Sequence, residues 1–336
     1  MNKNFFYKKK ILITGIDGFV GSNLAKKLVF VGAKVSGIIQ KKNKKSLFNY
    51  EKINKKCTLY KGDIYNNNFI KKIITNNKFE IIFHLAAQVE VGVANYDPFD
   101  TWESNIRGTY TILNNLVKNK NIKSVIVASS DKSYGEYPKK YLPYKESYLS
   151  KAIYPYDVSK ACADMISKSY SSKLFNLPII TTRFANIYGP GQLHFSALIP
   201  DIMKSLITGK KFIPRGNGND IRDYVFIDDI VDVYLILSKK LYKNPNLKGE
   251  VFNAGTNKQH KVKEIVKKFY VTNNQVKEYQ EILKKMKNKK TIGEINNQFM
   301  DYSKLKKFFG WKPKHDFNTT AKTTYEWYKE YFKKNS

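Results

Sequence analysis

The chain has 336 residues, 42% of them hydrophobic, enough to bury the core of two domains or of one large α/β unit. Its formal net charge of +32 raises the question of a polyanionic partner, yet the lysines are strewn among asparagines, as in "QKKNKK" and "ILKKMKNKK", without a recognisable nucleic-acid module. No apolar run approaches the roughly 20 residues of a membrane helix, and "MNKNFFYKKKILITG" enters a strand without a cleavable signal pattern, so neither nucleic acid nor membrane is expected as partner and the cytoplasm is the expected location.

In chain order, "ILIT" (11–14) reads as a first strand and "GFVGSNLAKKLVFVG" (18–32) as a helix. The turn between them, "TGIDGFVG", carries Gly15, Gly18 and Gly21. Glycines at that spacing let a pyrophosphate approach the backbone and face the free N–H groups of a helix start, the mark of a dinucleotide site. "KVSGII" is a second strand, ending at Ile39 and Gln40 with Lys41 and Lys42 just beyond. An NAD site usually has a carboxylate there for the adenosine ribose. Its absence removes repulsion toward a 2′-phosphate, so NADP is favoured over NAD. "CTLYKGDI" follows, with Asp63 suited to a contact with the adenine.

Next come "EIIFHLAA", a helix near 101–119, "KSVIVASS", a helix from about 156 to 173, and "PIITTRF". Strands alternating with helices argue for an α/β fold with a doubly wound parallel sheet of the Rossmann type. After residue 184 the pattern loosens into Gly- and Pro-containing loops, so a smaller domain is expected. The expected division is 1–185 with 222–250 for the dinucleotide, and 186–221 with 251–336 for the substrate. Cys57 and Cys162, with four scattered histidines, give no disulfide framework and no metal-ligand spacing, so reduced thiols and no metal are expected.

Three local features suggest chemistry. "YPYDVSK" places Tyr156 and Lys160 four apart, on one helical face, where an ammonium can depress the phenol's pKa and make it a base. "VASSDKSYGEYP" sets Asp131 beside Lys132 where a buried strand meets the surface; alone, this is an ion pair on a loop. Only four cations are arginine, namely Arg107, Arg183, Arg215 and Arg222, and three of these lie between 183 and 222, marking places that need a planar donor for phosphate or carboxylate.

Taken with "HLAAQ", "NIRGT" and "RFANIYGPG", these motifs make the chain resemble the extended short-chain dehydrogenase/reductases that act on nucleotide sugars, over about residues 10 to 330. The resemblance implies that Tyr156 and Lys160 are a catalytic pair, with Ser129 or Ser130 near the sugar's 4-hydroxyl. For the cofactor it implies Gly15, Asp17, Gly18, Phe19, Val20 and Gly21, then Gln40, Lys41, Asp63 and Ile64, then Leu85, Ala86, Ala87 and Asn105. For the sugar nucleotide it implies Gln88, Glu90, Ser130, Asn186, Phe195, Arg215 and Arg222. In the 4,6-dehydratase branch the dipeptide after the serine is an acid–base pair, which the Asp131–Lys132 dipeptide resembles.

Among subfamilies, "SSDKSYG", "YPYDVSKACADMI" and "RFANIYGPGQLHFSALIP" look most like the GDP-N-acetylglucosamine 4,6-dehydratases of legionaminic acid synthesis, with GDP-mannose and CDP-glucose dehydratases and 4-epimerases as alternatives. The implied chemistry has Tyr156 taking the C4 hydroxyl proton, a neutral Lys132 taking the C5 proton, and a protonated Asp131 releasing the C6 hydroxyl as water. Lys132 is expected to be made neutral by burial and by neighbouring positive charges. The resemblance also implies a homodimer through a four-helix bundle, to which Ile112, Leu116, Met165 and Ile166 would contribute. The alternative is that these residues cover only their own sheet.

Overall fold

The computed structural model describes residues 4–41, 43–287, 289 and 293–335. Six strands run through the first part of the chain: β1 (Lys10–Thr14), β2 (Lys34–Ile39), β3 (Thr58–Lys61), β4 (Ile81–His84), β5 (Ser124–Ala128) and β6 (Ile179–Phe184). Three short strands follow, β7 (Asn186–Tyr188), β8 (Ile221–Arg222) and β9 (Tyr224–Phe226), and then β10 (Val251–Ala254), β11 (His260–Lys261) and β12 (Asn297–Gln298).

The main sheet has seven parallel strands in the order β10-β6-β5-β4-β1-β2-β3. It is the expected doubly wound fold. Alternate residues go to opposite faces, as a sheet covered on both sides requires. Ile11, Ile13, Ile81 and Phe83 meet the helices Phe19–Phe30 and Ile227–Lys243 on one face. Leu12, Ile82, Val125 and Val127 meet Asn67–Asn76 and Gly108–Asn114 on the other.

The helix expected near 101–119 is broken. A π-helical segment, Trp102–Arg107, joins the short turn Phe99–Thr101 to the helix Gly108–Asn114. Ile112 and Leu116 are buried in the chain's own core, so of the two readings for them the structure gives the one in which they cover the sheet. Ile166 is partly buried against the same core, whereas Met165 is 70% exposed.

Two small sheets, β11-β8-β12 and β7-β9, cap the carboxyl ends of the main strands. Here the domain boundaries drawn from sequence differ from the structure. The segment "VFNAG", placed in the smaller domain, supplies β10 at the edge of the main sheet, whereas β9, placed in the larger domain, belongs to a small sheet, and the drawn boundary cuts through β8. Backbone pairing with β6 decides the first case, which hydrophobic pattern alone does not encode. No helix of the described residues is long and apolar enough to cross a membrane.

Asp223 joins the two regions. It is fully buried, and its carboxylate accepts from the backbone N–H groups of Thr256 and Asn257 at 3.0 Å and of Met300 at 3.3 Å. Burial pushes its pKa up to about 6, against the pull of these donors. Removing the carboxyl strands several buried donors, each costing about 1–3 kcal/mol. Asp223→Ala is therefore expected to lower unfolding stability by about 3 kcal/mol or more in urea titrations, and a loss below about 1 kcal/mol would show that water replaces the carboxylate there.

Candidate active site

The strand order reverses between β1 and β4, and a cavity of about 1050 Å³ opens along the carboxyl ends of the strands there, where such sheets bind ligands. The reversal is pinned by hydrogen bonds. Thr14 Oγ1 accepts from the N–H groups of Leu85 and Ala86 at 3.1 Å and meets His84 Nδ1 at 2.9 Å. His84 Nε2 in turn meets Thr109 Oγ1 at 3.0 Å. Burial, with Lys160 adding to it, pushes the imidazole pKa down to about 3, so His84 is neutral and structural.

At one end of the cavity the glycine turn forms a cradle that side chains would fill. Gly15 has φ +67, and a Cβ there would come 2.9 Å from the Ala86 Cα. One on Gly21 would come 2.2 Å from the Gly15 carbonyl oxygen. The helix Phe19–Phe30 begins at Gly18 without a side-chain cap, leaving its first N–H groups for a ligand. Asp17, Phe19, Val20, Leu85, Ala86, Ala87, Gln40, Asp63 and Ile64 also line the cavity. Asp63 Oδ1 is buried with no partner, as an acceptor reserved for a ligand's N–H would be. Cradle, free helix start and orphaned acceptor together fit a dinucleotide.

Three expected contacts fall elsewhere. Lys41 is exposed outside the cavity, because the chain turns away after Gln40, and Lys42 lies outside the described residues. Asn105 is behind the wall: its side chain accepts from Gln88 N–H at 2.8 Å and donates to the Gln88 carbonyl and to Ser159 Oγ, both at 2.9 Å. It shapes the wall rather than touching a ligand. Phe195 turns toward the helix Phe317–Asn335, its ring 5.8 Å from that of Phe332.

The reactive groups meet where β5 ends. Tyr156 and Lys160 share a face of the helix Pro155–Ser171, and Lys160 Nζ donates to the Ala128 carbonyl at 3.1 Å, 5.9 Å from the Tyr156 ring centre. Burial pushes Lys160 down to about 8, against the pull of Asp164. Burial and then the nearby Asp131 push Tyr156 well above its usual value, against a hydrogen bond from Ser130. The expected depression of the phenol by Lys160 is thus overturned in this state, because the ammonium is anchored on a carbonyl and desolvation dominates.

The turn Asp131–Tyr134 brings in the second pair. Ser130 Oγ donates to Asp131 Oδ1 at 2.9 Å, while Oδ2 is buried with no partner. Burial raises the Asp131 pKa against the pull of Lys132 and Ser130, in the direction of its protonated form. Lys132 differs from expectation. Its Nζ lies 3.0 Å from Glu294 Oε2, an ion pair rather than purely cationic surroundings. Glu294 also approaches Arg222 Nη2 at 3.4 Å, and although burial raises its pKa, Lys132 and Arg222 outweigh this and hold it low.

Sequence reasoning missed Glu294, which arrives from a lysine- and asparagine-rich stretch with no local signal. It also missed Asp157, buried beside Tyr156, whose pKa burial raises to about 7 while Lys132 pulls it down. Of the four arginines, only Arg215 and Arg222 reach the cavity. Arg222 Nη1 donates to the carbonyls of Ile221 at 3.0 Å and Asn296 at 3.1 Å, and Arg215 donates to the Ser196 carbonyl. Arg107 pairs with Glu103 on the surface, and Arg183 lies inside, paired with Asp164. Asn186, Gln88 and Glu90 line the cavity as expected, and Glu90 faces His194 at 3.5 Å.

Lys160 gives a pH test. In the folded chain it loses its proton near 8 and in the unfolded chain near 10.5, so between those values the unfolded state binds more protons and stability rises with pH. The wild type is expected to gain stability relative to Lys160→Met across that window in parallel urea titrations. A constant difference would mean that Lys160 is not desolvated.

The GDP-mannose 4,6 dehydratase family model matches residues 12–324. The dTDP-D-glucose 4,6-dehydratase of Homo sapiens is 28% identical over 344 residues, covering 97% of this chain and 91% of that protein. The CDP-glucose 4,6-dehydratase of Salmonella typhimurium is 30% identical over 266 residues, covering 76% and 72%. Among solved structures, the dTDP-glucose 4,6-dehydratase of Bacillus anthracis in complex with NAD superposes with a TM-score of 0.81 at 28% identity, covering 96% of this chain and 97% of that one. The UDP-glucose 4-epimerase of Thermotoga maritima with UDP-glucose gives 0.79 at 27%, covering 97% and 99%. With the glycine cradle, the Tyr156/Lys160 face and a family match over nearly its whole length, the chain belongs to the nucleotide-sugar 4,6-dehydratase family of extended short-chain dehydrogenase/reductases.

Proposed function

We propose that the protein is a nucleotide-sugar 4,6-dehydratase that makes a 4-keto-6-deoxy sugar nucleotide, with GDP-N-acetylglucosamine as substrate, for surface or flagellar glycan synthesis. The observation that carries the reaction type is the placement of Asp131 and Lys132 at the cavity wall beside Tyr156 and Ser130. An epimerase needs no such pair. The nucleotide and sugar rest on the motif resemblance, and the named relatives act on dTDP- and CDP-glucose.

A nicotinamide held in the Gly15, Gly18 and Gly21 cradle would supply a reversible hydride store, filled from C4 and emptied to C6 after water has left, with C5 regaining a proton, so that net redox over the cycle is zero. Tyr156 accepts the C4 hydroxyl proton as a phenolate, a form that Lys160 and the positive charge of a bound nicotinamide would favour against the burial that raises the phenol here. The resulting ketone acidifies C5, and Lys132 takes that proton once Glu294 no longer holds it as an ammonium. Asp131, whose protonated form burial favours, gives its proton to the C6 hydroxyl, which leaves as water. Arg222 and Arg215 hold the diphosphate, supported by Asn186. NADP is the proposed preference, because no carboxylate of β2 repels a 2′-phosphate at Gln40.

A 4-epimerase is the second reading, favoured by the Lys132–Glu294 ion pair, which opposes a free base. Dimerisation through the helical segments on either side of the π-helical turn and Pro155–Ser171 is also proposed, supported by exposed Tyr96 (94%), Phe99 (65%) and Met165.

Incubation with GDP-, UDP-, CDP- and dTDP-hexoses is expected to give loss of one water by mass spectrometry, best with GDP-N-acetylglucosamine. Substrate deuterated at C4 should carry the label to C6. Epimerised sugar with no mass change would establish the second reading instead. Lys132→Ala is expected to keep cofactor binding and lose dehydration by about 100-fold or more, the usual worth of a positioned base; a wild-type rate would leave Lys132 a surface cation. Light scattering at micromolar concentration should report a dimer, and a strictly monomeric mass would remove that proposal.

A further inference from the structure

Tyr156, Lys160 and Asp164 stand four residues apart in succession on Pro155–Ser171 and share one face. Asp164 does not line the cavity. It is buried, and its Oδ2 accepts from Arg183 Nε at 2.5 Å. Arg183 projects from β6, and its guanidinium lies 4.5 Å from the centre of the Tyr134 ring. Tyr134 is the last residue of the turn that carries Asp131 and Lys132. It is fully buried, stacks on Tyr144 at 4.7 Å and 8°, and donates from its hydroxyl to Asn253 Oδ1 at 2.8 Å.

A guanidinium can lay its flat face on a ring while its edge bonds a carboxylate; an ammonium can do only one of these well. That accounts for an arginine here in a chain whose other cations are nearly all lysine. We propose that Asp164 and Arg183 are positioning residues that brace the turn Asp131–Tyr134 against the Tyr156/Lys160 face, so that the oxidation at C4 and the loss of water across C5 and C6 act on one substrate pose. This rests on the dehydratase reading above. Arg183 acts through Tyr134 on the elimination pair, so disturbing it should slow elimination and spare oxidation.

The test is single-turnover kinetics of the cofactor-loaded enzyme with the sugar nucleotide that the wild type dehydrates. Arg183→Lys keeps the charge opposite Asp164 and loses the guanidinium's contact with Tyr134. The rise of reduced-cofactor absorbance should stay within about twofold of wild type while water loss slows about tenfold or more, the scale of a misplaced reacting group, so reduced cofactor builds up as it does not in the wild type. Asp164→Asn alone strands a buried guanidinium, so the double variant Asp164→Asn/Arg183→Gln, which removes both charges, is the second probe and should show the same build-up. If oxidation and water loss fall together, or neither changes, the brace is overturned. A wild type that oxidises the sugar without losing water overturns the dehydratase reading itself, and with it the brace's purpose.

Discussion

The Thr14–His84–Thr109 chain of hydrogen bonds is the interaction on which the rest of the site depends. It sits where the strand order reverses, tying the ends of β1 and β4 to the segment that carries Asn105. Thr14 Oγ1 accepts the N–H groups that follow β4, so its hydroxyl proton points to His84 Nδ1, and the imidazole N–H on the other side faces Thr109. Every member is satisfied, which is the condition under which a buried polar network rigidifies rather than destabilises. The crevice that this junction holds open receives the glycine cradle from one side and the helix carrying Tyr156 and Lys160 from the other.

Desolvation then sets the chemistry of that crevice. It raises Asp131, Asp157 and Tyr156 and lowers Lys160, in each case as the largest influence, so these groups are biased toward their neutral forms. Glu294 is the counterexample, because two cations outweigh its burial. Glu294 is therefore favoured as an anion, placed between the lysine assigned to C5 and the arginine assigned to the diphosphate. Any substrate that brings negative charge to Arg222 competes with Glu294 for it, which links docking of the diphosphate to the surroundings of Lys132.

Much of this is legible in the sequence. The glycine spacing, the Tyr156/Lys160 interval and the Asp131–Lys132 dipeptide are local patterns, set within one turn or one strand end, and local geometry carries them into place with few alternatives. The strand series was legible for the same reason, since buried parallel strands read as short apolar runs. Asn105 and Phe195 were misread because a residue's position beside a motif does not say which way its side chain turns. In both cases a neighbour distant in sequence, Gln88 or Phe332, decided it.

What the sequence by itself determined was therefore the kind of fold, the glycine cradle and which polar side chains are candidates for the chemistry, all of which depend on spacings of a few residues. What only the tertiary structure decided was their partners. Glu294 meets Lys132 across 162 residues, Arg183 meets Asp164 and Tyr134 from a different strand, and β10 joins the main sheet from beyond the small ones. Such contacts depend on how the sheets and helices close over the cavity, and burial there, more than the residue types, governs which groups carry charge.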